Sequence, residues 1–365
     1  MKSHPFFRLL MIVVSGFLFV QCTSDPIPGP PGQDGIDGVD GVDGQDGVSG
    51  TASCVSCHSN STREPILASF ELSLHGSGTT FGRGSSANCA QCHGSEGFID
   101  YVTIGAVDTT AGAYSPAVPF NCATCHSSHR TFDFENDGPD FALRNPDAQN
   151  LVLDPTYTID FGGSSNNCIT CHQPRNSYEI PAVNTSGTYI ITSSRFGPHY
   201  GPQSTMLEGI LGAPIAGSTA YPGAGTATHR TAASCVSCHM GESNVADLGG
   251  HSWLPTDESC IQCHPNGIPD EMNGFTEGMA TLAQLLANVV GEEYAEDADG
   301  NLVGTGVPIV GIIVNGSARP GIWPTEAAQA AWNYKTLEQD QSRGIHNPGY
   351  SRALLNNSIE ALQNN

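Results

Sequence analysis

Hydrophobic and polar positions divide the chain into three regimes. Lys2 and Arg8 precede an apolar run from Leu9 to Val20, the build of an export signal over residues 1–21 and short for a membrane span. Over residues 51–275 apolar positions are sparse, and the many Gly and Pro residues predict short helices joined by long irregular connections. From Thr276 onward helical periods appear: TEGMATLAQLLANVV sets Met279, Leu282, Leu286 and Val289 at helical spacing. GTGVPIVGIIVNG, residues 304–316, reads as a short hairpin, and PTEAAQAAWNYKTLEQDQSRG predicts a helix from a Pro-Thr cap to near Gly344. After HNP at 346–348 a last helix carries Leu354, Leu355, Ile359 and Leu362 on one side, so residues 276–365 form a helical region whose apolar stripes are core.

Between the export signal and the first cysteine pair runs GPPGQDGIDGVDGVDGQDGVSG, with Gly at every third position from Gly29 to Gly50. The period is collagen-like, yet only Pro30 and Pro31 supply imino acids, and Asp34, Asp37, Asp40, Asp43 and Asp46 would repel one another in a triple helix. Residues 22–50 are therefore expected to be an extended acidic tether, with a trimeric stalk as the sharper alternative. Cys22 ends FVQC, a poor match to a bacterial lipobox because Phe19 and Gln21 depart from its usual residues. Lipidation there is expected, which makes the tether an anchored spacer.

Cysteine spacing supplies the chemistry. C-x-x-C-H occurs six times, at Cys54/Cys57/His58, Cys89/Cys92/His93, Cys122/Cys125/His126, Cys168/Cys171/His172, Cys235/Cys238/His239 and Cys260/Cys263/His264. The last two pairs alone resemble a structural zinc ribbon, but zinc does not require a histidine directly after each pair. With 13 histidines in 365 residues, six such adjacencies arise by chance with a probability on the order of 10⁻⁹. The pattern is the signature of c-type haem attachment: two sulfurs in one helical turn add to the two vinyl groups, and the next imidazole binds iron as proximal ligand. Six covalently bound haems are expected. Of 13 cysteines only Cys22 is left over, so none remains for a disulfide or a catalytic thiol.

The histidine count bears on function. Apart from His4 and the six motif histidines, the chain has His75, His129, His199, His229, His251 and His346, one candidate distal ligand for each iron. Two imidazoles on every iron leave no coordination position for substrate, which suits electron transfer. His129 lies three residues past His126, too close to reach around the same ring, and is expected to serve a neighbouring haem. His346 sits in a break between predicted helices, where a side chain can be aimed at iron.

CVSCHMG followed by GHSW and CIQCH, together with AAWNYKTLEQDQSRGIHNPGYSRALLNNSIEAL, resembles the multihaem cytochrome c superfamily that includes pentahaem nitrite reductases and octahaem hydroxylamine oxidoreductases. The resemblance covers about 70 residues directly. It implies distal-ligand roles for His251 and His346, and RFGPHYGPQSTML resembles the distal-ligand stretch that would contain His199. With six haems in the 211 residues from Cys54 to His264, porphyrins are expected to form much of the core of residues 51–275, in a mainly α fold with much coil. Departures are equally specific. All six motifs end in His, whereas many nitrite reductases of the group have one CxxCK, and Lys335 is the single lysine beyond the export signal. The substrate-binding Arg, Tyr and His of those enzymes have no matching positions, and the octahaem enzymes carry more haems than this chain can attach.

Net charge of −23 argues against nucleic acid as a partner. The leading expectation is an exported, lipid-anchored hexahaem cytochrome on the periplasmic face or cell surface of a Gram-negative bacterium. It would pass electrons between redox proteins acting as donor and acceptor, with no catalytic residue. A reductase of nitrite, hydroxylamine or a sulfur oxyanion with one open haem, and a subunit of a cytochrome filament, are the alternatives.

Overall fold

The computed structural model describes residues 52–364 apart from 176–177, 183–186 and 246. The expected export signal, Cys22, His4 and the expected Gly-rich tether therefore lie outside the described residues. The chain divides into a first unit, 1–54, and a second, 55–365. Cys54 of the first CxxCH belongs to the first unit, and Cys57 and His58 to the second.

The CxxCH segments sit on or at the ends of short helices: Ala52–His58, Ala87–His93, Cys122–Cys125, Asn166–Ile169, Cys235–His239 and Asp257–Ile261. Helices of four to seven residues cannot hold themselves together in water, so neighbours must fix them. Caps contribute. Asn121 Oδ1 accepts from Ala123 N at 2.9 Å while Asn121 N donates to Thr124 Oγ1 at 3.0 Å, and Thr256 Oγ1 accepts from Ser259 N at 3.1 Å. The histidine is locked over the first cysteine of its motif, as in His126 N to Cys122 O at 3.0 Å and His264 N to Cys260 O at 2.9 Å.

Side-chain core is scarce in this half. A small buried cluster there comprises Leu151, Ile159, Phe161, Ile169 and Leu207, built on the two-residue pairing of 149–150 with 158–159. Large apolar residues instead stand exposed near the motifs, among them Ile66, Leu67, Leu72 and, beside His75, Leu74 at 87%.

The C-terminal layer is mixed, which corrects the mainly α expectation. Strand β1 (Thr188–Ile191), helix α1 (Phe275–Asn288), strands β2 (Val290–Glu296), β3 (Leu302–Val310) and β4 (Gly321–Pro324), then helices α2 (Thr325–Asp340) and α3 (Pro348–Asn364) make up this layer. The four strands form an antiparallel sheet in the order β1-β4-β2-β3, so one strand comes from among the CxxCH motifs. The predicted hairpin at 304–316 is displaced: residues 302–310 pair back onto 290–296 instead. A second, minimal hairpin pairs 313–314 with 317–318 through Asn315 and Gly316, both at positive φ (50° and 75°), the turn that a right-twisted hairpin requires. Helix α2 ends at Asp340, four residues before Gly344, because Gln341 turns left-handed with φ 58°.

Small residues explain the layer's packing. Ala327, Ala328, Ala330 and Ala331 are all buried, letting α3, β1 and β4 approach α2 closely. Trp332 and Trp323 fill the remaining volume. An aromatic of this class removes about 150–250 Å² from water, roughly 4–6 kcal/mol per ring. Gly291 is required where β2 crosses Trp323, since a Cβ there would lie 2.4 Å from the indole. Buried Asn333 is fully used: its Oδ1 accepts from Ala213 N at 2.8 Å, and its Nδ2 donates to Ala213 O and to Ser358 Oγ, both at 3.0 Å. The end of α2 also grips the loop bearing His199, through Tyr200 N to Gln339 Oε1 at 3.0 Å and Gln203 Nε2 to Gln339 O at 3.1 Å.

Candidate functional site

Each CxxCH turn presents one imidazole, and each of those faces a different one of the six other described histidines. Ring centres are 5.9 Å apart for His58 and His129, 6.1 Å for His75 and His172, and 6.2 Å for His93 and His199. They are 6.3 Å apart for His126 and His251, 6.1 Å for His229 and His264, and 6.3 Å for His239 and His346. Two imidazoles bound through nitrogen to opposite faces of one metal would have centres about 6.3 Å apart, from bonds of about 2 Å and about 1.2 Å from nitrogen to ring centre. Ordinary aromatic packing allows about 4.5–7 Å. The narrow spread and the one-to-one assignment therefore carry more weight than any single distance. Among the described residues no three or more His, Cys, Asp or Glu side chains converge as a metal site, so the donor set is two imidazoles with a CxxC pair beside one of them. Such a set suits a metal whose remaining four positions come from a macrocycle.

The motif cysteines are not equally enclosed. Cys57, Cys122 and Cys263 are exposed, and the other nine are half-buried. Cys263 corrects the expectation that both sulfurs of a motif share a helical turn. Its helix stops at Ile261, and Cys263 is held in a tighter turn by its N–H to Cys260 O at 3.1 Å. The reason is the next stretch of sequence: Pro265 disfavours helical backbone at His264 and brings no N–H to continue the ladder. Cys171 likewise lies past the end of its helix at Ile169, but Gln91 packs against it and it stays half-buried, whereas the Cys263 thiol faces solvent.

Burial acts on the facing rings. Desolvation, and then the neighbouring His172, pushes the His75 imidazole down to about 4. Burial also pushes His199 down to about 4, followed by the charges of Arg175, His93, Arg195 and Arg83. Neutral imidazole is the metal-binding form. For His346 burial again favours the neutral ring, but the charge and hydrogen bond of Asp340 outweigh it and its pKa rises.

Second ring nitrogens are held by the protein. His126 Nδ1 lies 2.7 Å from Phe141 O, His229 Nδ1 2.6 Å from Ile345 O, His239 Nδ1 2.8 Å from Trp253 O, and His172 Nδ1 3.3 Å from Gln203 Oε1. Those contacts fix tautomer and ring orientation, leaving Nε2 to face its partner.

Contacts between the turns order the pairs. Gln91 Nε2 donates to Thr170 O at 3.0 Å and Cys171 Sγ lies 3.6 Å from Gln91 O, locking the second and fourth motifs back to back. Ser165 and Ser234 hydroxyls meet at 2.7 Å, joining the fourth motif to the fifth. Asn145, just past the strand-like bridge from His126 to Leu143, donates its N–H to Asn167 Oδ1 at 3.3 Å, joining the third to the fourth. His129 follows the third motif and faces the first, and Ile345, beside His346, holds His229. The six pairs thus form a row, His58–His129, His126–His251, His75–His172, His239–His346 and His229–His264, with His93–His199 branching from the His75–His172 pair and, through the Ser95 and Thr124 hydroxyls that meet at 2.7 Å, from His126–His251 as well.

Trp253 stands at that junction. Its indole is 4.6 Å from the His75 ring and 5.4 Å from His251, while its carbonyl accepts from His239. Sequence reasoning missed Trp253, Gln203 and Asp340 as site residues; the Trp in GHSW enters there only through a resemblance. Beside His251 opens a cleft of about 520 Å³, lined by Pro65, Ile66, Leu72, Met240 and Leu248 among others, an apolar surface of the kind a flat hydrophobic cofactor needs. Lys335 is held by other groups: it is buried, and its Nζ donates to Gly316 O at 2.8 Å and pairs with Glu338.

No known protein family and no curated protein matches the chain. Among solved structures it is similar to the crystal structure of outer cell wall cytochrome OcwA, with 18% identity and a TM-score of 0.46 over 82% of this chain, and it spans about half (50%) of that protein's length.

Proposed function

We propose that the chain is an exported hexahaem c-type cytochrome that carries electrons and performs no substrate chemistry of its own. The observation that carries this reading is the one-to-one set of six histidine pairs, each with a CxxC beside it. The twelve described cysteines would hold the six groups by thioether bonds, and His58, His93, His126, His172, His239 and His264 would bind iron on one face. His129, His199, His251, His75, His346 and His229 would respectively bind on the other. Bound iron supplies a one-electron change between Fe(III) and Fe(II). The protein would hold both imidazoles of each pair in place so that little rearranges when charge changes and small ligands find no open position, and its motif turns link the pairs to one another. Of the three exposed motif cysteines, Cys57 and Cys263 belong to the two ends of the row and Cys122 to the His126–His251 pair next to one end, which supports electron exchange with partners at these three places. Each of the six motif histidines finds an opposing histidine within this chain, so no neighbour is needed to complete a pair.

Six haem additions in the mass of the denatured protein, and six low-spin ferric centres by electron paramagnetic resonance, are the expected results. Four or fewer additions in a competently matured sample would sink the reading. One high-spin iron with nitrite or hydroxylamine turnover would replace it by the reductase alternative.

Anchoring belongs to the same proposal. Lipidated Cys22 and the acidic tether would hold the haem domain away from a membrane, facing redox partners in the periplasm or outside the cell. Among the described residues no helix is long and apolar enough to cross a membrane. Cys22→Ser is expected to release the protein into the soluble fraction with its haem spectrum intact, and unaltered membrane association would count against the anchor.

A further inference from the structure

Hydrogen bonding at Nδ1 sets one pair apart. The acceptors for His126, His229 and His239 are backbone carbonyls, and that of His172 is an amide. His346 Nδ1 instead lies 2.7 Å from Asp340 Oδ1. The Asp340 side chain is 1% exposed, and its second oxygen accepts from the Ser342 hydroxyl. Ser342 Oγ in turn accepts from His346 N at 3.2 Å, so a closed ring of three residues fixes both carboxylate and imidazole. His129 and Asp140 are the nearest comparison, and at 3.8 Å they are not hydrogen-bonded.

We infer that Asp340 is a positioning residue that gives His346 partial imidazolate character and makes the haem held by His239 and His346 the lowest-potential of the six. The inference rests on the reading of the pairs as haem ligands. A ring N–H shared with a carboxylate away from water gives up more of its proton than one shared with a neutral carbonyl. The density returned to Nε2 strengthens its bond to Fe(III) more than to Fe(II), which favours the oxidised state. A buried negative charge beside the site acts in the same direction. The branch pair experiences the opposite field: Arg83, Arg175 and Arg195 all act on His199, and a guanidinium nitrogen of Arg175 is 3.5 Å from its Nε2. Both pairs adjoin His75–His172, so Asp340 biases electrons away from its end of the row, toward the junction.

Asp340→Asn keeps the shape and an oxygen acceptor but removes the charge. In a spectroelectrochemical titration of the variant, the lowest of six midpoints is expected to move up while the other five hold, with six low-spin haems retained. An unmoved lowest midpoint in a variant with six low-spin haems overturns the inference. Should the variant lose a haem, near-infrared magnetic circular dichroism of the ferric wild type decides. One haem's worth of the iron charge-transfer intensity displaced to higher energy supports the inference, and six haems in a single bis-imidazole band overturn it. Fewer than six low-spin haems in the wild type would overturn the ligand reading itself, and this inference with it.

Discussion

Replacing His346 by alanine is expected to turn one of six low-spin haems high-spin and to open that iron, once reduced, to carbon monoxide. The expectation follows from place and packing. His346 lies between the end of α2 at Asp340 and the start of α3 at Pro348, and its ring faces His239 at 6.3 Å. Truncation removes the imidazole while the helices on either side stay anchored by Leu337, Leu354 and Leu355. The wild type should bind almost no carbon monoxide, and the variant about one equivalent per chain. Five haems should keep their spectra, since every other pair draws on different histidines. A wild type that already binds carbon monoxide stoichiometrically would contradict the conduit reading, because an open iron is what a reductase needs.

The second large effect is expected at the junction. Cys168→Ala with Cys171→Ala removes the attachment of the haem at His75–His172, the pair adjoining three others. Denatured mass should show five haem additions in place of six. Rapid reduction by a small donor, one phase in the wild type because charge redistributes internally, should split into one phase for three haems and one for two. That division follows from the contacts: His239–His346 and His229–His264 lie on one side of the junction, while His58–His129 and His126–His251 lie on the other, where Ser95 and Thr124 join His93–His199 to them. A single phase persisting in a correctly matured five-haem variant would show that electrons cross without the junction, for which the contacts of Trp253 with His75, His251 and His239 are the first place to look.

The C-terminal layer teaches where periodicity is sufficient and where it is not. Helix α1 is seen at Phe275–Asn288 with Leu282 and Leu286 buried, and α3 buries Leu354 and Leu355, as their stripes predict. These helices are legible because 3.6-residue spacing reports a single buried face. The sheet was not. Residues 302–310 are mostly exposed and follow no strict alternation, and their partner is an acidic strand, VGEEYAE, with little apolar signal. What makes it a strand is the pairing with 302–310 and, at Glu292, with Ile322 of β4. Strand β1 lies far from its partner β4 in sequence, so nothing local announces that Tyr189 will pair with Trp323.

By itself the sequence determines everything that a five-residue turn can encode. Two cysteines and a histidine at C-x-x-C-H spacing stay within one turn of chain, even where Pro265 ends the helix before Cys263, so the motif residues, their number and the cofactor class they imply are local facts. Counting the remaining histidines, and noticing that His129 is too close to His126 to oppose it, are also possible without coordinates. Only the tertiary structure decides which histidine faces which. His75 and His172, or His239 and His346, are brought together by caps, backbone contacts and the packing of α2 against α3, and closing those long loops depends on the whole chain at once. The same holds for the junction at His75–His172 and for Asp340, an unremarked acid in EQDQSRG until α2 stops there and delivers its carboxylate to His346.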